Sequence, residues 1–168
     1  MKFKLNDQIA HPSDGACVVC AISEKEMFDK MELYYSLAPA ADQNMTLFVP
    51  VESAEQIGLR AIISEQEADA LLSCVQQAEG GDWVSDHNLR FKRYKELFQN
   101  STAQGLRDLL MEMAVMLRKD AEKKLPNADK EVLRKIEKKA ISEIAMAKNV
   151  PFETALAKVQ TVLQSQPA

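Results

Sequence analysis

Part-way along this chain the spacing of its apolar residues changes, and that change confines the fold to a sheet followed by helices. Up to Pro50 the apolar residues come in short runs rich in Val, Ile, Tyr and Phe, separated by turn residues. Beyond Ser64 they recur every three or four positions. Ser64-Glu65-Gln66-Glu67 marks the switch as a capping box. The Ser64 hydroxyl accepts from the Glu67 amide while the Glu67 carboxylate reaches back to the Ser64 amide.

Ahead of the switch, residues 8–11, 16–22, 31–37 and 45–49 read as strands. Pro12-Ser13-Asp14-Gly15 predicts a tight turn between the first two, because Pro fixes φ and Gly accepts positive φ. Residues 51–57 read as a helical turn closed by Gly58. Strands this short and closely spaced predict a small, strongly bent sheet or open barrel. After the switch, Ala68, Leu71, Leu72 and Val75 share a face of the first helix, which ends at the expected hinge, Gly80-Gly81. A helix capped by Asp82 is expected to run from Trp83 to about Gln99, with Trp83 and Arg90 on one face. Leu106, Leu109, Leu110, Met113 and Leu117 then follow helical spacing. Beyond the break at Pro126-Asn127, Leu133, Ile136, Ala140 and Ile144 line a long helix. A final amphipathic helix follows Pro151. The expected class is α+β: a β-rich part over residues 1–63, a bridging helix and hinge over 64–81, and an all-α bundle over 82–168.

Charge follows the same division. Residues 1–81 carry 5 Lys+Arg against 13 Asp+Glu, and residues 82–168 carry 16 against 12, within a formal net charge of -4. An acidic front and a basic back imply different partners, the second of them anionic. No run of apolar residues is long enough for a membrane span, and Met1 to Asp7 lacks the apolar stretch of a signal peptide, so a cytoplasmic protein is expected. Three cysteines fit a reducing compartment. Cys17 and Cys20 match C-x-x-C, but strand residues three apart face opposite ways, so the expectation is buried apolar cysteines rather than a zinc or redox pair. His11 and His87 fall in different parts of the chain, and no phosphate-binding loop or nucleophilic serine motif occurs. No enzyme activity, cofactor or metal is expected.

Two groups of cations stand out. Arg90, Lys92, Arg93 and Lys95 follow the chain's one tryptophan, Trp83, and Lys130, Arg134 and Lys138 fall at i, i+4 and i+8 of the long helix. Each group reads either as a solvated face or as a set of phosphate contacts. Trp83 reads either as a packing residue at the joint between modules or as a ring that stacks on or wedges a base step.

The order of motifs adds a resemblance. Asn6-Asp7-Gln8-Ile9-Ala10-His11-Pro12-Ser13-Asp14-Gly15 is followed by Tyr34-Tyr35, then Met45-Thr46-Leu47-Phe48-Val49-Pro50, Ile57-Gly58-Leu59-Arg60 and Ile62-Ile63-Ser64-Glu65-Gln66-Glu67-Ala68. This sequence resembles the CarD/CdnL family of bacterial transcription regulators along nearly its whole length. The resemblance implies an N-terminal Tudor-like (SH3-like) antiparallel β domain that binds the RNA polymerase beta subunit, of the kind shared with the transcription-repair coupling factor. It implies a C-terminal helical bundle that contacts promoter DNA through the minor groove and backbone, weakly and without sequence specificity. Trp83 would then be the wedge, Arg90 and Arg93 phosphate contacts, and Lys92 and Lys95 further cations. Lys25 and the strand Thr46, Leu47, Phe48, Val49 and Pro50 would face the polymerase. The implied protein is a monomer on the polymerase, located at the nucleoid and not at a membrane.

Overall fold

A computed structural model of the protein describes residues 2–167. The expected α+β architecture is present. Strands β1 (Gln8–His11), β2 (Gly15–Met27), β3 (Lys30–Pro39), β4 (Leu47–Pro50) and β5 (Arg60–Ala61) form one antiparallel sheet in the order β4-β3-β2-β1-β5. Strand β2 runs five residues beyond its expected end at Ile22, because its polar tail pairs with β3 out to the match of Met27 with Lys30. Phe28 and Asp29 close that hairpin, both at positive φ, as a two-residue connection with the right-handed strand twist requires. The pairing of β5 with β1 covers only two residue pairs, too short to leave a periodic signature.

One side of the sheet packs Ile9, Val19, Tyr35, Leu37 and Val49 against Leu59 and α1 (Ala54–Ile57). Gly58 closes α1 at φ 110, where its lack of a Cβ is needed. A bulge between Val19 and Ala21 carries Cys20 out of the regular ladder. Cys17 is fully buried, and burial pushes its thiol up to about 12. Cys20 and Cys74 are exposed, so the expectation of buried cysteines holds for Cys17 alone. For Cys20 the bulge is the reason. Cys74 lies on the outward side of its helix.

Helix α2 (Glu65–Gln77) opens with the capping box: Glu67 N donates to Ser64 Oγ at 3.1 Å and Ser64 N to Glu67 Oε2 at 2.7 Å. It shares one apolar core with α3 (His87–Gln99), α4 (Ala103–Ala121), α5 (Asn127–Ile136), α6 (Ser142–Lys148) and α7 (Phe152–Gln164). Leu72, Leu109, Met113, Ile136, Ile144 and Val159 are central to it. Helices α5 and α6 are joined without a break by a π-helical turn, Glu137–Ile141. Helix α3 begins four residues later than the spacing predicts. Its cap is Asp86, which accepts from Leu89 N at 3.0 Å, and the Val84 and Ser85 carbonyls are held by Arg90 Nη1 at 3.2 and 3.0 Å instead of entering a helix. Trp83 therefore lies in an irregular segment before the helix, and its seven-residue spacing from Arg90 does not describe a helix face.

Sheet and helices meet through polar contacts. The turn before β2 presses into the π-turn, where Ala16 N donates to Ser142 Oγ at 3.0 Å and Lys138 Nζ to Asp14 Oδ1 at 2.8 Å. Gly15, at φ 74, lies so close that a Cβ would collide with the Ser142 hydroxyl and the Lys138 and Lys139 carbonyls. Arg60 of β5 donates to both oxygens of Glu143, Nη1 to Oε1 at 2.5 Å and Nη2 to Oε2 at 2.9 Å, and its Nε reaches Ser101 O at 2.6 Å. Glu143 is fully buried and also accepts from Ile63 N at 3.1 Å.

Candidate functional site

The candidate residues fall on two separate surfaces. The first is the β4 side of the sheet. As the last strand on that side, β4 has one row of backbone groups without a strand partner, which is the template for strand addition. Phe48 is 43% exposed, and Lys25 Nζ lies 4.6 Å from its ring centroid, reaching across β3. That pair forms a cation–π contact. Thr46 is exposed in the turn before the strand, and Pro50 is half-buried at its end. Leu47 and Val49 turn to the core side, Val49 being buried there. Their side chains are packing residues, a correction to the expectation that the whole strand forms a contact, and only their backbone faces outward.

The second surface surrounds Trp83. The ring is half-buried, packed on the helical core, with Arg90 Cζ at 4.4 Å and Lys119 Nζ at 5.3 Å from its centroid. Arg118 Nη2 donates to Gly81 O at 2.5 Å and so holds the chain just before the ring. Arg118 and Lys119 come from the end of α4, more than thirty residues downstream. No local sequence signal linked them to Trp83, and only the packing of α4 brings them there.

The expected cations divide sharply. Arg90 is 6% exposed. Its Nε and Nη2 donate to Asp129 Oδ2 and Oδ1 at 2.8 and 2.9 Å, and Tyr94 Oη donates to Oδ2 at 2.7 Å. Burial by itself would raise the Asp129 carboxyl, but the hydrogen bonds from Arg90 and Tyr94 outweigh it and hold the group below its ordinary value. Tyr94 is raised, by burial first and by the carboxylate second. A guanidinium spent on Asp129, on two carbonyls and on the Trp83 ring has no free edge for a phosphate, so Arg90 is a structural cation. Arg93 is half-exposed, with Nη2 2.7 Å from Glu112 Oε2. The pair is poorly aligned, since that oxygen has no directed hydrogen bond. Burial raises the Glu112 carboxyl, and Arg93 only partly offsets it. Lys138 is tied to Asp14. It is the second residue of the π-turn and still lines one surface pocket together with Arg134. Lys92, Lys95, Lys130 and Arg134 are exposed, and Arg134 has only a loose 3.5 Å pairing with Glu131.

His11 completes the junction. Its Nδ1 accepts from the amides of Ser13 and Asp14, both at 3.2 Å, which fixes that nitrogen as unprotonated. The Asp14 carboxylate at 3.2 Å is thus a neighbour and not an ion-pair partner. Burial lowers the His11 pKa, against the pull of Asp14. Among the described residues no cluster of three or more His, Cys, Asp or Glu side chains could hold a metal ion, and no helix is long and apolar enough to cross a membrane.

Comparison with known proteins bears first on the sheet. Residues 3–63 match the family model described as CarD-like/TRCF RID domain. The matched residues are those of the sheet and α1, and they stop just before α2. The chain is also 24% identical over 151 residues to the Bacillus subtilis (strain 168) protein named "Putative transcription factor YdeB", covering 88% of this chain and 94% of that protein. The second likeness extends past the matched residues 3–63 into the helices.

Proposed function

We propose that the protein regulates transcription at initiation. Its RID domain docks on the RNA polymerase beta subunit, and its helices contact promoter DNA. The observation that carries the reading is the conjunction of the RID-domain match with an unpartnered β4 edge bearing the Lys25–Phe48 contact. Strand addition along β4 supplies backbone hydrogen bonds, and the Lys25–Phe48 pair supplies a side-chain anchor. Docking raises the local concentration of the helices at the promoter, so their own affinity for DNA can be low. This suits a chain whose net charge is -4.

On the DNA side the Trp83 ring, framed by Arg90 and Lys119, meets a distorted base step, while Lys92, Arg93 and Lys95 on α3 and Lys130 and Arg134 on α5 offer charge to the backbone. Only a preference for the melted over the closed duplex shifts that equilibrium, and about 1.4 kcal/mol of preference is tenfold. A second reading makes the protein an adaptor between proteins, with Trp83 as a packing residue. The half-burial of Trp83 against the helical core favours it.

Open-complex lifetime on a promoter, measured with the partner polymerase, separates the two. The DNA reading expects wild type to lengthen the lifetime and Trp83→Ala to lose that effect while still binding the beta subunit. Equal lifetimes for the two proteins would leave Trp83 a packing residue and favour the adaptor.

A further inference from the structure

A groove of about 620 Å³ lies between the Pro12–Asp14 turn and helices α3 and α5. Neither β4 nor Trp83 lines it. Its floor is aromatic and apolar, formed by the half-buried rings of Phe91 and Phe98 beside Val132, and its rim carries Lys95, Lys135 and Lys138. This combination is unusual for a surface whose role is only to be solvated. Exposed lysines over a polar floor need no ligand, whereas lysines around partly exposed aromatic rings, here Phe91 and Phe98 with Lys139 Nζ 5.7 Å from the Phe98 centroid, present charge and a stacking surface together.

The three lysines are not equivalent. Lys138 is matched by Asp14 at 2.8 Å. Lys95 and Lys135 are exposed and have no carboxylate within ion-pair distance among the described residues. The unmatched positive charge therefore lies on the α3 and α5 side, away from the acidic turn. Phe91 already carries a planar heterocycle, the His87 imidazole, with centroids 4.4 Å apart and planes 30° apart. The groove is of the size that takes a small ligand.

We infer that this groove binds a nucleotide, with the base against Phe91 and Phe98 and the phosphate at Lys95 and Lys135. Base–aromatic stacking tolerates any base, and two unmatched ammonium groups suit a compact phosphate. An acidic peptide fits less well. No residue of either edge strand, β4 or β5, lines the groove. A long acidic segment would also meet Asp14 and the net negative front of the chain. The nucleotide has two possible sources, a free mononucleotide or an unpaired residue of a nucleic-acid strand.

The test uses the full chain alone, without polymerase, so its outcome is independent of the open-complex experiment. Backbone amide resonances are followed during titration with AMP, ATP, a short single-stranded oligonucleotide and inorganic tripolyphosphate. Saturable shifts confined to residues 13–14, 91–98 and 132–138 are expected with the nucleotides. Saturation by AMP or ATP identifies a free ligand, and saturation by the oligonucleotide alone identifies a residue of a strand. Lys135→Glu is expected to weaken binding by about tenfold, while Lys158→Glu, the same charge change at an exposed position of α7 outside the groove, weakens it less than about twofold. Circular dichroism confirms that both variants are folded. The inference is overturned if no titrant saturates, if tripolyphosphate binds as well as ATP, or if the two variants lose affinity equally.

Discussion

Two arginine–carboxylate pairs with the same chemistry sit in different parts of the molecule. Arg90 and Asp129 join α3 to α5 inside the helical part, sealed by the Tyr94 hydroxyl. Arg60 and Glu143 join the last strand of the sheet to α6. Both are bidentate, and both carboxylates are fully buried. The first closes a core already held by apolar packing. The second spans a junction where polar contacts dominate: the capped amide of Ala16, the Asp14–Lys138 pair and the tight seat of Gly15. The same interaction thus maintains a fold in one place and an orientation in the other.

Removing each carboxylate is the most direct way to break this comparison. Asp129→Ala strands Arg90 in the interior and is expected to cost about 3–5 kcal/mol in urea unfolding, the largest loss of the series. Glu143→Ala strands an arginine that is 23% exposed, so water offsets part of the loss and about 2 kcal/mol is expected. Residual dipolar couplings should show the sheet intact in this variant but no longer fixed relative to the helices. Equal costs with no change in orientation would remove the distinction. Ser142→Ala leaves the Ala16 amide without its acceptor and is expected to cost about 1 kcal/mol. His11 sharpens the same point through pH. Its folded pKa lies below the ordinary 6.5, so the unfolded chain binds a proton first. The stability it contributes is complete above that value and is lost as pH falls towards the folded pKa. Urea midpoints between pH 7 and pH 5 should decline more steeply for wild type than for His11→Gln. Lys130→Ala, at an exposed position with no partner among the described residues, should change stability by less than about 0.5 kcal/mol.

Much of the sheet and most helix boundaries were legible because they rest on local signals. The Pro12–Gly15 turn, the αL residue Gly58, the Ser64 capping box and the Pro126 break each act within four residues. The start of α3 was not legible, because Arg90 reaches back to take the carbonyls that a longer helix would use. The candidate site was least legible where charge was counted without partners. Arg90 and Lys138 looked like surface cations, yet their carboxylates lie 39 and 124 residues away in sequence. Lys119 escaped notice for the converse reason, since nothing near it in the chain marks it as a neighbour of Trp83. Sequence spacing shows which residues share an element. It does not show which charges are already spent.

The π-turn at Glu137–Ile141 has a consequence for how this helix tolerates changes in length. An α-helix counts residues, each advancing the chain by about 100° around the axis, so losing one normally rotates everything beyond it out of register. A π-turn stores one residue more than the count requires. Deleting a residue there would yield an ordinary helix with no broken ladder, and the helix itself has room for the loss. The sheet does not, because Ser142 and Glu143 would swing away from the Gly15 turn and from Arg60. The spare residue acts as the setting of a dial, and the position it selects is the one at which the sheet can be held.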